Sequence, residues 1–485
     1  MGRVLENLEP QAVFSFFEDM TQIPRCSGSE KAISDYLVNF AKKRNLEVIQ
    51  DKALNVIIKK PGTKGYENAP VVILQGHMDM VCEKNKNTNH DFSTEPLKLR
   101  VENDMVMATG TTLGADNGIA VAYALAILDS DEISHPPLEV LITTEEETGM
   151  GGANSLDPNN LKGKILINID SEEEGTLLVS CAGGIRNTLS IPIEWNACPD
   201  DFLAYDLRVR GLKGGHSGME INKERGNSNI ILGRILKGIS ANNDIYISQV
   251  SGGAKMNAIP RESDAVLLVN RQDKAKLEKE IEKWNRIIGN ELKTADSDVR
   301  IELELLNSKH EKVFSKETMK KVLAALVLIP NGVQTMSVEI EGLVQSSTNL
   351  GVLTTTEKEV LLECAIRSSV KTLKLDIVKK MEALADLIGA KSTSESDYPA
   401  WEYRKDSYIR DIFVDSYKKM YGKEPIITAI HAGLECGLFD EKLDNVDMIS
   451  LGPNMFDVHT PNERVSISST NRVWEYLLEV IKSIK

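Results

Sequence analysis

The feature that most constrains the fold is an alternation of short apolar runs with helical patterns through roughly the first 180 residues. The runs VVILQG, LEVLITT and KILINID have the composition of buried strands. The segments SEKAISDYLVNFAKKRNL and DNGIAVAYALAILDS have the spacing of helices. Because strands that alternate with helices build a parallel sheet with helices on its faces, the sequence predicts an α/β fold with a mainly parallel sheet.

A second texture begins near Ile185, where strand-like runs such as AYDLRVRG and DAVLLVNR accompany the helical segment QDKAKLEKEIEKWNRIIGNEL. This mixture predicts an α+β domain. The polar stretch KSTSESDYPAW reads as a return linker, after which the first texture resumes. We therefore predict a discontinuous α/β domain, residues 1–185 and 400–485, with an α+β domain inserted at 186–399. Residues 316–390 again run helix, strands, helix, so the insert could be a diverged duplication.

The charge and the cysteines restrict the partners and the compartment. A net charge of −15 argues against nucleic acid or an anionic membrane as the main partner, since both repel an acidic surface. The six cysteines form no CxxC pair, which favours buried thiols in a reducing compartment. The amino terminus lacks a signal pattern and no apolar run approaches the roughly 20 residues of a membrane span. A cytoplasmic location is the expectation.

Histidine and carboxylate residues follow several predicted strands at the point where each strand ends. His77 and Asp79 lie two residues apart after VVILQG, so in an extended chain they point to the same side. Asp116 alone could be a helix N-cap, and the glutamate run alone could be a solvated loop. Together the side chains define one rim of one sheet: His77, Asp79, Asp116, Glu145, Glu146, Glu147, Asp170 and His459.

Imidazoles and carboxylates in one place suit divalent cations. Two zinc-like ions about 3.5 to 4 Å apart would share a carboxylate, and without cations the carboxylates would repel one another. Such ions polarise a carbonyl and lower the pKa of water, while a spare carboxylate takes its proton. The pattern therefore predicts amide hydrolysis, with Asp79 orienting the His77 ring.

The motifs GHMDMV, GTTLGADNG, TTEEETG, INIDSEEEG, KGGHSG, GGAKMNAIP and DVHTPNE together resemble the co-catalytic dinuclear zinc metallopeptidases. That family includes carboxypeptidase G2, peptidase T and the carnosinases. HMDMV, LGADNG and KGGHSG with EINKERGNSN look most like its aminoacyl-histidine dipeptidase branch. The resemblance implies a catalytic metallopeptidase domain at 1–185 and 400–485, and a lid domain at 186–399.

Carried over by position, the resemblance assigns Asp79 and Glu146 as the catalytic pair, with Asp116 bridging the two ions. The family pattern begins this run with Asp where the chain has Glu145, so the register of the run stays open by one residue. The implied metal ligands are His77, Asp116, Glu147, Asp170 and His459.

The inserted domain supplies the implied substrate contacts. His216 in KGGHSG would contact the oxyanion or the substrate carboxylate, although a lone histidine is commonly structural. Asn257 and Arg367 would hold the substrate carboxylate, with ordinary salt bridging of Arg367 as the alternative. His431 could be a further substrate contact. His90, His135 and His310 carry no motif and are expected at the surface.

The function predicted from these features is hydrolysis of aminoacyl-histidine (Xaa-His, carnosine-like) dipeptides. The expected cofactors are two divalent ions, zinc first, with cobalt or manganese as alternatives. The expected partners are short peptide substrates, and the chain would act as a monomer or homodimer. Alternatives are a tripeptidase, carboxypeptidase or aminoacylase with the same metal core, or a catalytically silent peptide-binding protein.

Overall fold

The computed structural model describes residues 3–307 and 310–485. The chain divides into two compact units. The first unit comprises Met1–Ser180, Trp401–Ala429 and Leu434–Lys485, and the second comprises Cys181–Ala400 and Ile430–Gly433. Among the described residues, no helix combines the length and the apolar composition needed to cross a membrane.

The first unit is built around an eight-stranded sheet. Its four central strands, Leu138–Thr143, Val72–His77, Ile165–Asn168 and Asp447–Ser450, are parallel. Every residue of these four strands is buried, because helices cover the sheet, and this burial explains the continuous apolar runs in the sequence. The fold is mixed α/β with a mainly parallel sheet, which confirms the predicted fold class.

The remaining elements of the first unit complete its edges and faces. The outer strands of the eight-stranded sheet are Glu47–Gln50, Val56–Lys60, Thr176–Cys181 and Ile426–Ile430. A small sheet contains Met455–Phe456, Arg464–Ser466, Met105–Ala108 and Leu99–Glu102. The helices are Gln11–Thr21, Lys31–Lys43, Ala115–Asp129, Gly151–Ser155, Tyr408–Tyr421, Glu435–Lys442 and Ile467–Ser483.

The second unit is built around a nine-stranded sheet in which all described strand pairs are antiparallel. Half of the sheet comes from the elements Phe202–Arg210, Ser228–Asn242, Ile245–Gly252, Ser263–Asn270, Lys274–Glu291 and Arg300–Leu305. The other half comes from Gly183–Pro192, Lys316–Leu328, Val344–Thr355, Glu359–Ser368, Lys371–Ile388 and Lys391–Tyr398, with Gly332–Met336 added to it. Two short pairs join Trp195–Ala197 to Lys312–Phe314 and Gly215–His216 to Ala258–Ile259.

The two halves repeat one order of elements: strand, helix, strand, strand, helix, strand. They meet where Gly252 pairs with Leu353, and from this seam outward the corresponding strands follow in the same order on both sides. The first strand of one half, Gly183–Pro192, precedes the whole of the other half in the chain. One half therefore interrupts the other in sequence.

The predicted linker KSTSESDYPAW is wrong over most of its length. Lys391–Tyr398 is the strand at one edge of the nine-stranded sheet and pairs with Gly183–Pro192. The prediction failed because an edge strand has only one hydrogen-bonded neighbour. Most residues of this strand are exposed, so it can be polar like a linker.

Two further predictions, one about two cysteines and one about two histidines, are also wrong. Cys26 and Cys82 form a disulfide with a Cα–Cα distance of 5.7 Å, although both were predicted as buried thiols. They meet because Cys26 lies in a β-bridge with Met80, a contact between segments far apart in sequence. His90 and His135 are buried rather than at the surface, with 5% and 0% exposure.

Candidate metal centre

Three of the predicted ligands lie where elements of the first unit end or begin. His77 is the last residue of Val72–His77, and Asp170 follows Ile165–Asn168 by two residues. Asp116 lies in the first turn of Ala115–Asp129. Because the carboxyl ends of parallel strands share one edge of the sheet, these side chains meet there.

The distances show that Asp116 lies between two imidazoles. Its Oδ1 is 3.2 Å from Nε2 of His77, and its Oδ2 is 3.2 Å from Nε2 of His459. His77 Nε2 is also 3.5 Å from Asp170 Oδ1, and His459 Nε2 is 3.0 Å from Glu147. Asp116 thus presents one oxygen to each ring.

Three overlapping groups of potential ligands result. Within each group, one ligand atom per residue lies within 4.8 Å of the others. The groups are His77, Asp116 and Asp170; His77, Glu146 and Glu147; and Asp116, Glu147 and His459. Oxygen and imidazole donors at such distances suit zinc and similar divalent ions.

Asp79 connects two of the segments that supply ligands. It is fully buried, and its Oδ1 lies 3.3 Å from Nδ1 of His77. The backbone N–H groups of Glu146 and Glu147 donate to its two oxygens at 3.1 and 3.3 Å. Ser27, which the sequence did not suggest, donates its hydroxyl to Asp79 at 2.7 Å. Burial alone would raise the pKa of Asp79, but His77 and these donors hold it below its usual value.

The crowding of carboxylates raises the pKa of two acids and of one imidazole in this group. Burial, together with the charges of Asp116 and Glu147, raises the pKa of Asp170 to about 6 despite its hydrogen bond with His77. Burial and neighbouring carboxylates raise the pKa of Glu146 well above its usual value. Hydrogen bonds with Asp116 and Glu147 raise the pKa of His459 to about 11. This excess of negative charge fits residues that hold cations.

The register of the glutamate run can be judged from these contacts. Glu147 lies beside His459, and both Glu146 and Glu147 belong to a group of potential ligands. Glu145 is exposed and belongs to no such group among the described residues. Of the three glutamates, Glu147 is the one that lies beside His459, and its role as a ligand stays a prediction.

A buried polar network that the sequence did not suggest lies beneath the ligands. Glu435 is fully buried and accepts hydrogen bonds from Gln75 Nε2 at 2.6 Å and from Thr143 Oγ1 at 2.8 Å. Asn168 donates to Gln75, and Ser450 donates to Asn168. The available signal was a polar residue within each apolar run: Gln75 and Asn168 precede His77 and Asp170 by two residues.

The predicted substrate residues lie in the second unit. The N–H groups of Gly218 and Met219 donate to Nδ1 of His216 at 3.2 and 3.1 Å, which leaves the proton of the neutral ring on Nε2. Asn257 lies on the adjoining segment, where its carbonyl accepts the N–H of Ser217 at 2.9 Å.

Arg367 and His431 form the other part of this cluster. Arg367 donates to the hydroxyl of Tyr398 at 2.9 Å, and His431 Nε2 lies 2.7 Å from the hydroxyl of Ser347. Ser347 pairs directly with Arg367 across two strands. Burial, and then the charge of Arg367, lowers the pKa of His216 and lowers that of His431 to about 3.

The parallel sheet and the potential ligand groups at its edge fit a metal-dependent hydrolase. Residues 73–483 match the model of peptidase family M20/M25/M40, and the chain belongs to that family.

Individual relatives agree with this assignment. The chain is 39% identical to the cytosol non-specific dipeptidase of Escherichia coli strain K12 over 99% of each chain. The crystal structure of an aminoacylhistidine dipeptidase from Vibrio alginolyticus is 40% identical and has a TM-score of 0.95, covering 99% of this chain and 98% of that one. An aminopeptidase PepT from Bacillus cereus shares the fold at 14% identity, with a TM-score of 0.56 over 98% and 99% of the two chains.

Proposed function

We propose that this protein is a dipeptidase that uses two divalent cations held by His77, Asp116, Glu147, Asp170 and His459. The observation that carries the proposal is the position of Asp116, whose two oxygens face two different imidazoles. A carboxylate placed in this way can serve two ions. Two relatives that are about 40% identical over nearly the whole chain are dipeptidases by name.

Bound cations would polarise the scissile carbonyl and lower the pKa of a water. Glu146 is the proposed general base. Its carboxyl group has a raised pKa because it is removed from water among other carboxylates, and a base with a raised pKa accepts a proton readily near neutral pH. Asp79 fixes the ring of His77 through Nδ1 and at the same time fixes the backbone of Glu146. It therefore orients a ligand and the base together.

The residues of the second unit are proposed to bind the substrate. Nε2–H of His216 is available as a donor to an oxyanion or a carboxylate, since Nδ1 already accepts two backbone N–H groups. Arg367 offers a planar guanidinium to a carboxylate, and Asn257 offers a neutral amide. A half-buried positive charge beside two neutral imidazoles favours an anion, and the free carboxyl terminus of a dipeptide is such an anion.

Aminoacyl-histidine dipeptides are the proposed substrates. The Vibrio relative is named for that activity, whereas the E. coli relative is named non-specific, so a broader dipeptidase is the second candidate. A tripeptidase, carboxypeptidase or aminoacylase, and a silent peptide-binding protein, are the remaining alternatives. The proposed metal is zinc, with cobalt or manganese next, and the proposed location is the cytoplasm, as the name of the E. coli relative suggests.

A substrate panel with metal analysis tests this proposal. We expect the purified protein to carry up to two divalent ions per chain and to hydrolyse β-Ala-His and other Xaa-His dipeptides faster than dipeptides without His. A chelator should abolish hydrolysis, and added zinc, cobalt or manganese should restore it. Full activity in metal-stripped protein would reject the metal mechanism. Equal rates across the dipeptides would favour the non-specific enzyme.

The proposed carboxylate contact has its own test. Amidation of the dipeptide carboxyl terminus should raise KM with little change in kcat. Arg367→Lys should raise KM for the free dipeptide in the same way, because an ammonium cannot make paired contacts with a carboxylate. In the Arg367→Lys variant, the KM values of the free and the amidated dipeptide should therefore be similar. Equal turnover of free and amidated dipeptides by the unmodified protein would make Arg367 an ordinary structural residue.

A further inference from the structure

A buried glutamate holds the loop that presents Asp116. Glu463 is 2% exposed, and its carboxylate accepts backbone N–H groups from four successive residues. Leu113 and Gly114 donate to Oε2 at 2.7 and 3.0 Å, and Ala115 and Asp116 donate to Oε1 at 2.8 and 3.4 Å. These groups belong to the start of the helix Ala115–Asp129, whose first N–H groups have no partner within the helix. One side chain therefore fixes the backbone on both sides of this helix start.

A buried arginine holds the same loop from its carbonyl side. Arg25 is 2% exposed and donates to the carbonyl of Gly114 at 2.5 Å. It also donates to the carbonyls of Met78 and Asp79 at 2.9 and 3.2 Å, directly after His77. Gly114 has a φ of 68°, and a Cβ at this position would overlap Nη2 of Arg25. The close contact therefore requires glycine in the loop.

Glu463 also belongs to the segment that carries His459. Three residues separate them, and the N–H of Glu463 donates to the carbonyl of Thr460 at 3.0 Å in the intervening turn. The pair Arg25 and Glu463 thus connects the segments of His77, Asp116 and His459. None of these contacts involves a metal-ligating atom.

The charges of the pair suit this location. A buried guanidinium is costly unless it is compensated, and here the carboxylates of Glu463, Asp79, Asp116 and Glu147 surround it. Arg25 in turn supplies a fixed positive charge next to acidic ligands that would otherwise repel one another.

We infer that Arg25 and Glu463 are positioning residues that hold the His77, Asp116 and His459 segments in ligand geometry before a metal binds. The inference rests on the proposed metal centre. A positioning role differs from an ordinary structural role in a measurable way. Loss of a residue that only stabilises the fold changes the melting temperature, whereas loss of a positioning residue changes the affinity for the cation.

The chain offers matched controls for both residues. Glu139 is a 3% exposed carboxylate that accepts the N–H groups of Lys162 and Gly163 at 2.8 and 2.9 Å, at the opposite end of its strand. Glu139→Gln removes the same kind of interaction as Glu463→Gln. Arg44→Met is the control for Arg25→Met, because Arg44 pairs with Asp129 outside the centre.

The experiment measures zinc affinity in metal-stripped protein by competition with a chromophoric chelator, alongside thermal melting. We expect Glu463→Gln and Arg25→Met to weaken zinc binding about 10- to 100-fold, as loss of supporting residues around a metal typically does. The controls should keep the affinity of the unmodified protein even where their melting temperatures fall. Raising the zinc concentration should restore much of kcat in the two test variants, with KM for the dipeptide unchanged.

Unchanged zinc affinity in folded Glu463→Gln and Arg25→Met would overturn the inference. If either fails to fold, Glu463→Asp and Arg25→Lys decide the matter by the same measurement. Failure of the proposed function has a different signature, since the unmodified protein would then bind neither zinc nor cobalt nor manganese.

Discussion

Two clusters of histidines, one in each unit, have opposite electrostatic surroundings. In the first unit, carboxylates raise the pKa of His77 and bring that of His459 to about 11. In the second unit, burial and Arg367 lower the pKa of His216 and bring that of His431 to about 3. The same side chain is thus prepared for cations in one unit and for anions in the other.

This difference teaches what each cluster can bind. An imidazole among carboxylates gives up its proton in exchange for a metal ion, so the positive charge is replaced rather than lost. An imidazole beside a guanidinium stays neutral, and it can donate a hydrogen bond without adding a charge. A variant in the second-unit cluster should therefore leave the metal content unchanged.

The largest expected effect comes from the first-unit cluster around His77 and His459, here called the cation cluster. His77→Ala should lose bound metal and lower kcat/KM by about 10⁴-fold or more, since the ring belongs to two of the three ligand groups and the base has no function without the cations. Metal analysis and dipeptide hydrolysis measure both losses. His310→Ala, outside both clusters, is the control and should change neither. Full activity of His77→Ala without metal would show that the first-unit cluster does not hold cations needed for hydrolysis.

The glutamate run comes next in expected effect. Glu146→Gln should keep its metal and lower kcat by about 10²- to 10⁴-fold, because an amide cannot take the proton. Glu147→Gln should instead weaken metal binding, and Glu145→Gln should be mild. If Glu146→Gln proves poor in metal and Glu145→Gln is inactive but metal-replete, the assignment moves by one residue.

A variant in the second-unit cluster around His216 and His431, here called the anion cluster, should change kcat and leave the metal content unchanged. His216→Ala should lower kcat about 10²-fold with metal content unchanged, as loss of an oxyanion donor typically does. Steady-state kinetics and metal analysis on the same preparation separate the two clusters. An unchanged kcat would leave His216 with a structural role.

The smallest expected effect concerns stability and pH. The pKa of His431 falls from about 6.5 in the unfolded chain to about 3, so protons bind the unfolded state preferentially between these values. Its stabilising contribution is therefore present above pH 6.5 and is lost as the pH falls towards 3. From pH 7 to pH 5 the loss is about 2 kcal/mol.

Urea unfolding of the unmodified protein and of His431→Asn at both pH values measures this loss of unfolding free energy. The variant should show a smaller acid-induced loss of unfolding free energy, while His310→Asn should follow the unmodified protein. Identical pH dependence in all three would mean that His431 titrates normally.

The sequence predicted the positions of residues that lie at strand ends. His77 and Asp170 were found because parallel strands bring their carboxyl ends to one edge, and a histidine or aspartate there stands out against an apolar run. The fold class followed from the same periodicity. The glutamate run was located but not resolved, since a loop of three equal residues carries no information on which side chain faces inward.

The sequence could not predict partners that depend on long-range contacts. Glu463 binds N–H groups some 350 positions earlier in the chain, and Cys26 meets Cys82 across a separation of 56 residues. Glu435 lies four positions after His431 in the sequence, and only His431 was considered as a site residue. Lys391–Tyr398 resembled a linker because edge strands tolerate polar residues. In each case the deciding neighbour belongs to another part of the chain.

The repeated halves of the nine-stranded sheet suggest where the chain could be shortened. Trp195 pairs with Phe314, and the N–H of Ser315 donates to the carbonyl of Glu194 at 2.7 Å, so the intervening segment leaves and re-enters at one point. Domain insertions are tolerated at such points, where the two ends already touch. Deleting residues 195–314 would keep one complete half, with Arg367 and His431 but without His216. Gly332–Met336 would still pair with the first part of the strand Val344–Thr355. The rest of that strand would become a new sheet edge open to other chains, so such a minimal protein would need added charge there to stay monomeric.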